Sequence, residues 1–353
     1  MTYLSNKADS IVPYIPGDQP QDKKYIKINT NENPYPPAKE VFIAIQVACN
    51  EQLRLYPDPE STNLRNAIAK REGLNKEQVF VGNSSDEVLA LAFLAFFNPT
   101  SCILFPDITY SFYSVYAELY NIPYKTIPLN ENFTLDNDAY LQDNGGIIFP
   151  NPNAPTGIFK PLAEIEELLS YNLDKAVVII DEAYIEFGGE SALPLLSKFA
   201  NLLLIRTFSK SHSLAGMRLG YALGSPELIN GLTRIKNSFN SYPVDYIAAN
   251  AGKAAIEAQA YYTETSKRII ITREKTRQAL EKMGFNCLPS KANFLFISHI
   301  SIKATTLFAY LKDNDILVRY FNKPRLDNFL RVTIGTDAEM QFFLAKLKLI
   351  IEQ

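Results

Sequence analysis

The sequence predicts an α/β protein built on a parallel central sheet, and three observations carry that prediction. From about residue 40 onward, short aliphatic and β-branched runs alternate with longer stretches of helical pattern. The runs are continuously apolar rather than alternating, as strands covered on both faces require. After about residue 245 the pattern changes to one long helical stretch followed by shorter strands, which marks a second, smaller α/β domain.

In chain order, residues 1–37 carry PYIPG (13–17) and NENPYPP (31–37) and read as an extended N-terminal arm. A large domain over 38–245 follows. Within it VFVG (79–82) is a strand leading into a helix over 86–97, and CILFP (102–106) leads into a helix over 110–120. GIIFP (146–150), AVVIID (176–181) and NLLLIRT (201–207) are further strands, with helical PLAEIEELLS (161–170) between the first two. The small domain, 246–353, opens on a helical pattern over 245–283. NFLFI (293–297), ILVRY (316–320) and FLRVTIG (329–335) then alternate with helices.

Composition narrows the function. With 353 residues, 47% apolar and 21% charged, the chain is globular and long enough for two domains. A net charge of -3 gives no basis for a nucleic-acid or membrane partner. Cys49, Cys102 and Cys287 are isolated and only His212 and His299 are present, so no Cys/His metal site is expected and a cytoplasmic chain is. The start MTYLSNKADS lacks the apolar stretch of a signal peptide. The longest apolar run, VLALAFLAFF (88–97), is too short to span a bilayer and suits a buried helix.

Ligands of open α/β sheets bind beyond the carboxyl ends of the strands, so the residues just after each apolar run matter most. GNSSDE (82–87) places small residues at a strand-to-helix junction, where free N–H groups can take an anion; taken alone, an ordinary helix cap is the preferred reading. Asp181 follows AVVII directly, and either caps the next turn or awaits a cationic partner. In RTFSKSHSLAGMRLG (206–220), Thr207, Ser209 and Arg218 surround Lys210. A partly desolvated lysine attacks carbonyls, and arginine grips phosphate with two parallel bonds. An amine, phosphate donors and an acidic group in one cleft suit pyridoxal 5'-phosphate, which has an aldehyde, a phosphate and a ring nitrogen.

The order Tyr110, NPNAPTG (151–157), DEAY (181–184), SK (209–210), Arg218, Arg331 resembles the fold-type I pyridoxal-phosphate aminotransferases. PYIPG, NENPYP, RLYPDP (54–59), GNSSDE and FLRVTIGT (329–336) are similar to the histidinol-phosphate aminotransferase branch, over about residues 10–350. The resemblance implies a mostly parallel large-domain sheet, a smaller α/β C-terminal domain and an arm that packs with that domain and the partner subunit. It implies that Lys210 bonds the cofactor's aldehyde carbon and Asp181 pairs with the ring nitrogen. Tyr184 and Asn153 would reach the phenolic oxygen, and Tyr110 would stack on the ring. Ser84, Ser85, Asp86, Thr207, Ser209 and Arg218 would hold the phosphate. Tyr56 would reach the partner's phosphate, which implies a homodimer. Tyr14, Arg319 and Arg331 would bind substrate, although a surface salt bridge is the plainer role for Arg319. Where many relatives have a second asparagine before PTG this chain has Ala154, so the amide role passes to Asn153. Of 20 tyrosines, Tyr14, Tyr56, Tyr110 and Tyr184 are singled out because each sits in a matching motif; Tyr35 and Tyr113 can be core or site.

The activity implied is transamination of L-histidinol phosphate with 2-oxoglutarate, a step of histidine biosynthesis. A threonine-phosphate decarboxylase and an aromatic amino-acid aminotransferase share the scaffold and stay open. Intact Asp181, Lys210 and Arg218 argue against a non-catalytic binding protein. The arm is too short and too weakly basic for a DNA-binding regulator.

Overall fold

The computed structural model describes residues 3–13, 19–20 and 22–352. Its strands are β1 (Ile26–Lys27), β2 (Val79–Asn83), β3 (Ile103–Pro106), β4 (Tyr124–Ile127), β5 (Ile147–Pro150), β6 (Val178–Asp181), β7 (Leu202–Thr207), β8 (Leu219–Gly224), β9 (Phe285–Cys287), β10 (Phe294–His299), β11 (Ile316–Leu317), β12 (Arg319–Tyr320) and β13 (Leu330–Thr333). A seven-stranded sheet runs β2-β8-β7-β6-β5-β3-β4. Only β8 opposes its neighbours; the remaining pairings are parallel, so the sheet is mostly parallel as expected. Apolar residues cover both of its faces, with Ile180, Leu202 and Leu204 in one core and Ile148, Ile179 and Leu203 in the other. That two-sided burial is why these strands read as unbroken apolar runs.

Two strands have no such signature. The edge strand β4 is YKTI, with Lys125 and Thr126 exposed, which keeps an open edge from pairing with another chain. β8, LGYALG, carries glycines that read as loop, yet one of them is a packing requirement. A Cβ on Gly220 would lie 2.3 Å from the Ser85 nitrogen. Only glycine lets β8 pass so close beneath the start of the helix Ser84–Phe96.

The second sheet, β12-β13-β10-β9, is antiparallel. The helical stretch expected over 245–283 is two helices, Tyr246–Glu257 and Gln259–Lys282. The first buries Ala248, Ala251 and Ala255 in the same core as Val41 and Leu64 of the large domain. The second runs from Tyr262, in that same core, to Ile269 and Leu280, which pack with the second sheet. ILVRY also divides: β11 pairs in parallel with β1 of the arm, while β12 pairs with β13. Through Ile28, buried in the small-domain core, the arm is part of that domain.

Candidate active site

Strands β2, β5, β6 and β7 run parallel to one another and end at Asn83, Pro150, Asp181 and Thr207, on the edge where β8 begins. A cavity of about 400 Å³ opens there, lined by Ser85, Asp86, Tyr110, Asp181, Tyr184 and Lys210 among others. The volume is that of a small-molecule site.

At one end stands the helix Ser84–Phe96. Ser84 has φ 71° and spends its N–H on the Arg218 carbonyl at 2.8 Å, which leaves the Ser85 and Asp86 amides at the helix start. The helix dipole and these amides favour an anion. Arg218, itself at φ 53°, turns its guanidinium to the same place and donates to Asp86 Oδ2 at 2.9 Å. Tyr110 donates to Asp86 Oδ1 at 2.8 Å. The Asp86 carboxylate can only accept, so its side chain orients Arg218 and Tyr110 while its backbone N–H remains for a phosphate. Thr207 Oγ1 accepts the Ser209 N–H at 3.1 Å, turning the chain at the end of β7 so that both residues face the cavity.

At the other end Asp181 is 5% exposed. Its Oδ1 accepts the Ala183 N–H at 3.1 Å and its Oδ2 accepts the Tyr113 hydroxyl at 3.2 Å. Burial pushes the carboxyl up to about 6, against an ordinary value of 3.8. Burial, and after it Asp181, hold the fully buried Tyr113 phenol well above its usual range, so Tyr113 stays a donor. Asp181 has no ion-pair partner among the described residues. A buried carboxylate held this way is completed by a cation, and a protonated pyridine nitrogen is one. With Lys210 lining the same cavity as this carboxylate and the start of the helix, the residues present fit pyridoxal 5'-phosphate.

The segment after β1 wraps the lysine. Lys210 Nζ donates to the Thr30 carbonyl at 3.3 Å, and Asn33 Nδ2 donates to the carbonyls of Lys210 and Ser211 at 3.0 and 3.2 Å. Asn31 Nδ2 donates to the Tyr184 hydroxyl at 2.9 Å. Behind the cavity, Glu182 and Arg206, each next to a site residue in sequence, form a buried ion pair of 2.9 Å. Arg206 also reaches Glu72 at 3.1 Å and Ser191 at 2.7 Å. This network pins the ends of β6 and β7 together.

A second cavity of about 260 Å³ shares Tyr110, Ala154, Tyr184 and Lys210 with the first and extends to Arg319, Phe321 and Arg331. Arg331 donates to the Asn29 carbonyl at 3.1 Å, and both guanidinia pack on Phe321, at 5.4 and 5.5 Å.

The structure thus gathers Ser85, Asp86, Tyr110, Asp181, Tyr184, Thr207, Ser209, Lys210 and Arg218 around one cavity, with Arg319 and Arg331 around its neighbour. Ser84 lies beneath them. Asn153 is a correction: its amide donates to the Ile108 carbonyl at 3.1 Å and Thr156 Oγ1 at 3.0 Å, and it lines a separate cavity. The Ala154 side chain faces the site instead, because one step along a turn reverses where a side chain points. Tyr56 is 83% exposed and stacks on Tyr242, away from this chain's own cavity. Tyr14 lies outside the described residues. Thr30, Asn31 and Asn33 are site residues that the sequence marks only through the NENP motif around them. Tyr113, open between core and site in the sequence, is fully buried and bonded to Asp181.

A family model for class I and II aminotransferases matches residues 23–347. The histidinol-phosphate aminotransferase of Clostridium acetobutylicum is 51% identical over 346 residues, 98% of this chain and 98% of its own. That of Clostridium botulinum (strain Okra) is 52% identical over 351 residues, 99% of each. In fold, the histidinol-phosphate aminotransferase of Sinorhizobium meliloti, solved in complex with pyridoxal-5'-phosphate, matches with a TM-score of 0.89 at 23% identity, covering 100% of this chain and 98% of that one. Half the residues shared along the full length, on a fold that closes this cleft, make the chain a member of the class I and II aminotransferases and, within them, of the histidinol-phosphate aminotransferase family.

Proposed function

We infer that this enzyme transfers the amino group of L-histidinol phosphate to 2-oxoglutarate, giving imidazole acetol phosphate and glutamate, with pyridoxal 5'-phosphate as cofactor. The observation that carries the reading is a single cleft with Lys210 at its centre, a cofactor-sized cavity on one side and two arginines on the other. When bound, the cofactor supplies a carbon for the substrate's nitrogen and a protonated ring that takes up the electron pair left when the Cα–H bond breaks. Asp181 keeps the proton on the ring nitrogen. Arg218, Thr207, Ser209 and the Ser85 and Asp86 amides hold the phosphate. Tyr184 donates to the phenolic oxygen, and Tyr110 lies against the ring. Lys210 lines both cavities, so one amine can take the proton from the substrate's Cα and return it to the carbon on the far side of the transferred nitrogen.

Arg319 and Arg331 are direct cross-strand partners. Like charges placed opposite each other repel, and an anion between them relieves the cost. A phosphate ester takes both arginines, whereas the carboxylate of glutamate is met by Arg331. Gln19 of the arm lines both cavities.

A homodimer suits the surface. Phe42, Val47, Leu53, Tyr56 and Phe239 are apolar side chains at least 49% exposed. In a dimer joined there Tyr56 is presented to the partner's phosphate. The exposed free thiols of Cys49 and Cys102 accord with a cytoplasmic location.

The test is parallel turnover with histidinol phosphate, phenylalanine, tyrosine and threonine phosphate, each with and without 2-oxoglutarate. Fastest 2-oxoglutarate-dependent turnover of histidinol phosphate is expected. Carbon dioxide release from threonine phosphate as the main reaction would refute the reading. Lys210→Ala should lose both turnover and the visible absorption of bound cofactor, and retained turnover would remove the central assignment.

A further inference from the structure

We propose that Asn31 is a positioning residue that aims the Tyr184 hydroxyl proton into the cofactor cavity. The inference rests on the functional reading above, in which Tyr184 meets the cofactor's phenolic oxygen.

The orientation of the Asn31 amide is fixed by a counting argument. The Asn31 N–H donates to Thr333 Oγ1 at 3.0 Å, and Thr333 Oγ1 donates to Asn31 Oδ1 at 3.0 Å. Turned over, the amide would give Thr333 Oγ1 a second donor and leave the hydroxyl's one proton, on a residue 2% exposed, with no acceptor among the described residues. The amide nitrogen must then face Tyr184, where it donates to the phenol oxygen at 2.9 Å. Because that contact fills an acceptor position on the phenol, the phenol's own proton is left for the cleft that Tyr184 lines.

The surroundings make this arrangement rigid. Asn31 is 1% exposed, and water does not compete for its amide. Its backbone is left-handed, φ 58°, a region asparagine tolerates better than most residues. Its carbonyl accepts Asn293 Nδ2 at 3.1 Å. The Tyr184 ring stands edge-on to Phe294 at 5.2 Å and 90°, so the hydroxyl cannot swing away. Bonds in such a chain polarise one another, and a phenol that accepts from Asn31 donates more strongly into the cavity. The sequence flanking Asn31 also holds Lys210 through Thr30 and Asn33, so one segment sets the direction of two groups that act on the same ligand.

The test reads the pH midpoint of the visible absorption band of the protein loaded with pyridoxal 5'-phosphate, in the wild type, Asn31→Gly, Tyr184→Phe and the double variant. Glycine keeps the left-handed backbone without strain and retains the backbone bonds to Thr333 and Asn293, so only the amide is lost. A weaker donor to the phenolic oxygen disfavours its anionic form. Asn31→Gly therefore raises the midpoint, by roughly half to one pH unit for one neutral hydrogen bond. Tyr184→Phe raises it too, and adding Asn31→Gly to Tyr184→Phe moves it no further. An unchanged midpoint in Asn31→Gly, or an equal rise with and without Tyr184, would overturn the assignment and leave Asn31 a support of the fold. If Asn31→Gly does not fold, Thr333→Val frees the amide to turn over and is read in the same cycle with the same two outcomes. A wild type that shows no band with the cofactor overturns both this assignment and the functional reading beneath it.

Discussion

Replacing Asp181 by asparagine should make the cofactor-free protein more stable and the enzyme nearly inactive. The structure gives the size of the first effect. The carboxyl titrates at about 6 in the folded chain, against 3.8 ordinarily, because it is buried. At about 1.4 kcal/mol per pH unit, that gap means the ionised group costs the folded state about 3 kcal/mol. The sign follows from which state holds the proton. Between 3.8 and 6 the folded chain is protonated and the unfolded chain is not, so this group's contribution to stability is complete below about 4 and lost as pH rises through 6. Asparagine has the same shape without the charge, but it returns one of the bonds from Tyr113 or Ala183, about 1 kcal/mol. The expected gain above pH 7 is about 2 kcal/mol. For a chain of this length, at about 2.1 cal/mol/K per residue, that raises Tm by about 3 °C. Thermal unfolding of cofactor-free wild type and Asp181→Asn at pH 8 and pH 4 is the assay, with turnover measured alongside and expected to fall roughly 10²–10³-fold. Equal Tm values at pH 8, or a gain that persists at pH 4, would show that the charge of Asp181 is not what strains the empty site.

Two further outcomes follow from the same geometry. Arg319→Ala should raise KM for histidinol phosphate roughly 10- to 100-fold, the worth of a charged hydrogen bond, while glutamate KM changes far less; equal losses on both would deny a phosphate-specific role. Arg206→Met leaves the fully buried Glu182 unpaired and should cost about 3–5 kcal/mol in urea unfolding, most of it restored by adding Glu182→Leu. A loss below about 1 kcal/mol would mean that the network does not hold the strand ends.

The site was legible in the sequence where chemistry sits at the end of an apolar run. Asp181, Thr207 and Lys210 follow buried parallel strands, and a doubly wound sheet has one place for such residues. Asn31 and Tyr113 were not legible because their partners lie 153 and 68 positions away, and no local pattern encodes those meetings. Asn153 shows the limit of a motif in a turn, where the residue type can match while the direction does not. Among the elements, β8 was hidden by glycines whose role is to admit Ser85, and β4 by the polar side chains of an edge. The break at Ala258 interrupts no helical pattern. Tertiary packing places the first helix in one core and carries the second from Tyr262 in that core to Ile269 and Leu280 in the other.

The pairing of β1 with β11 joins Ile26 to Ile316, far apart along the chain. A fragment beginning at the small domain's long helix would lack both an edge strand and the Ile28 side chain in its core, so it should not fold alone. During synthesis β1 must wait, unpaired, until β11 has been made. Thr30, Asn31 and Asn33 come shortly after that strand, and so Lys210 gains its wrapping only once β11 has been made.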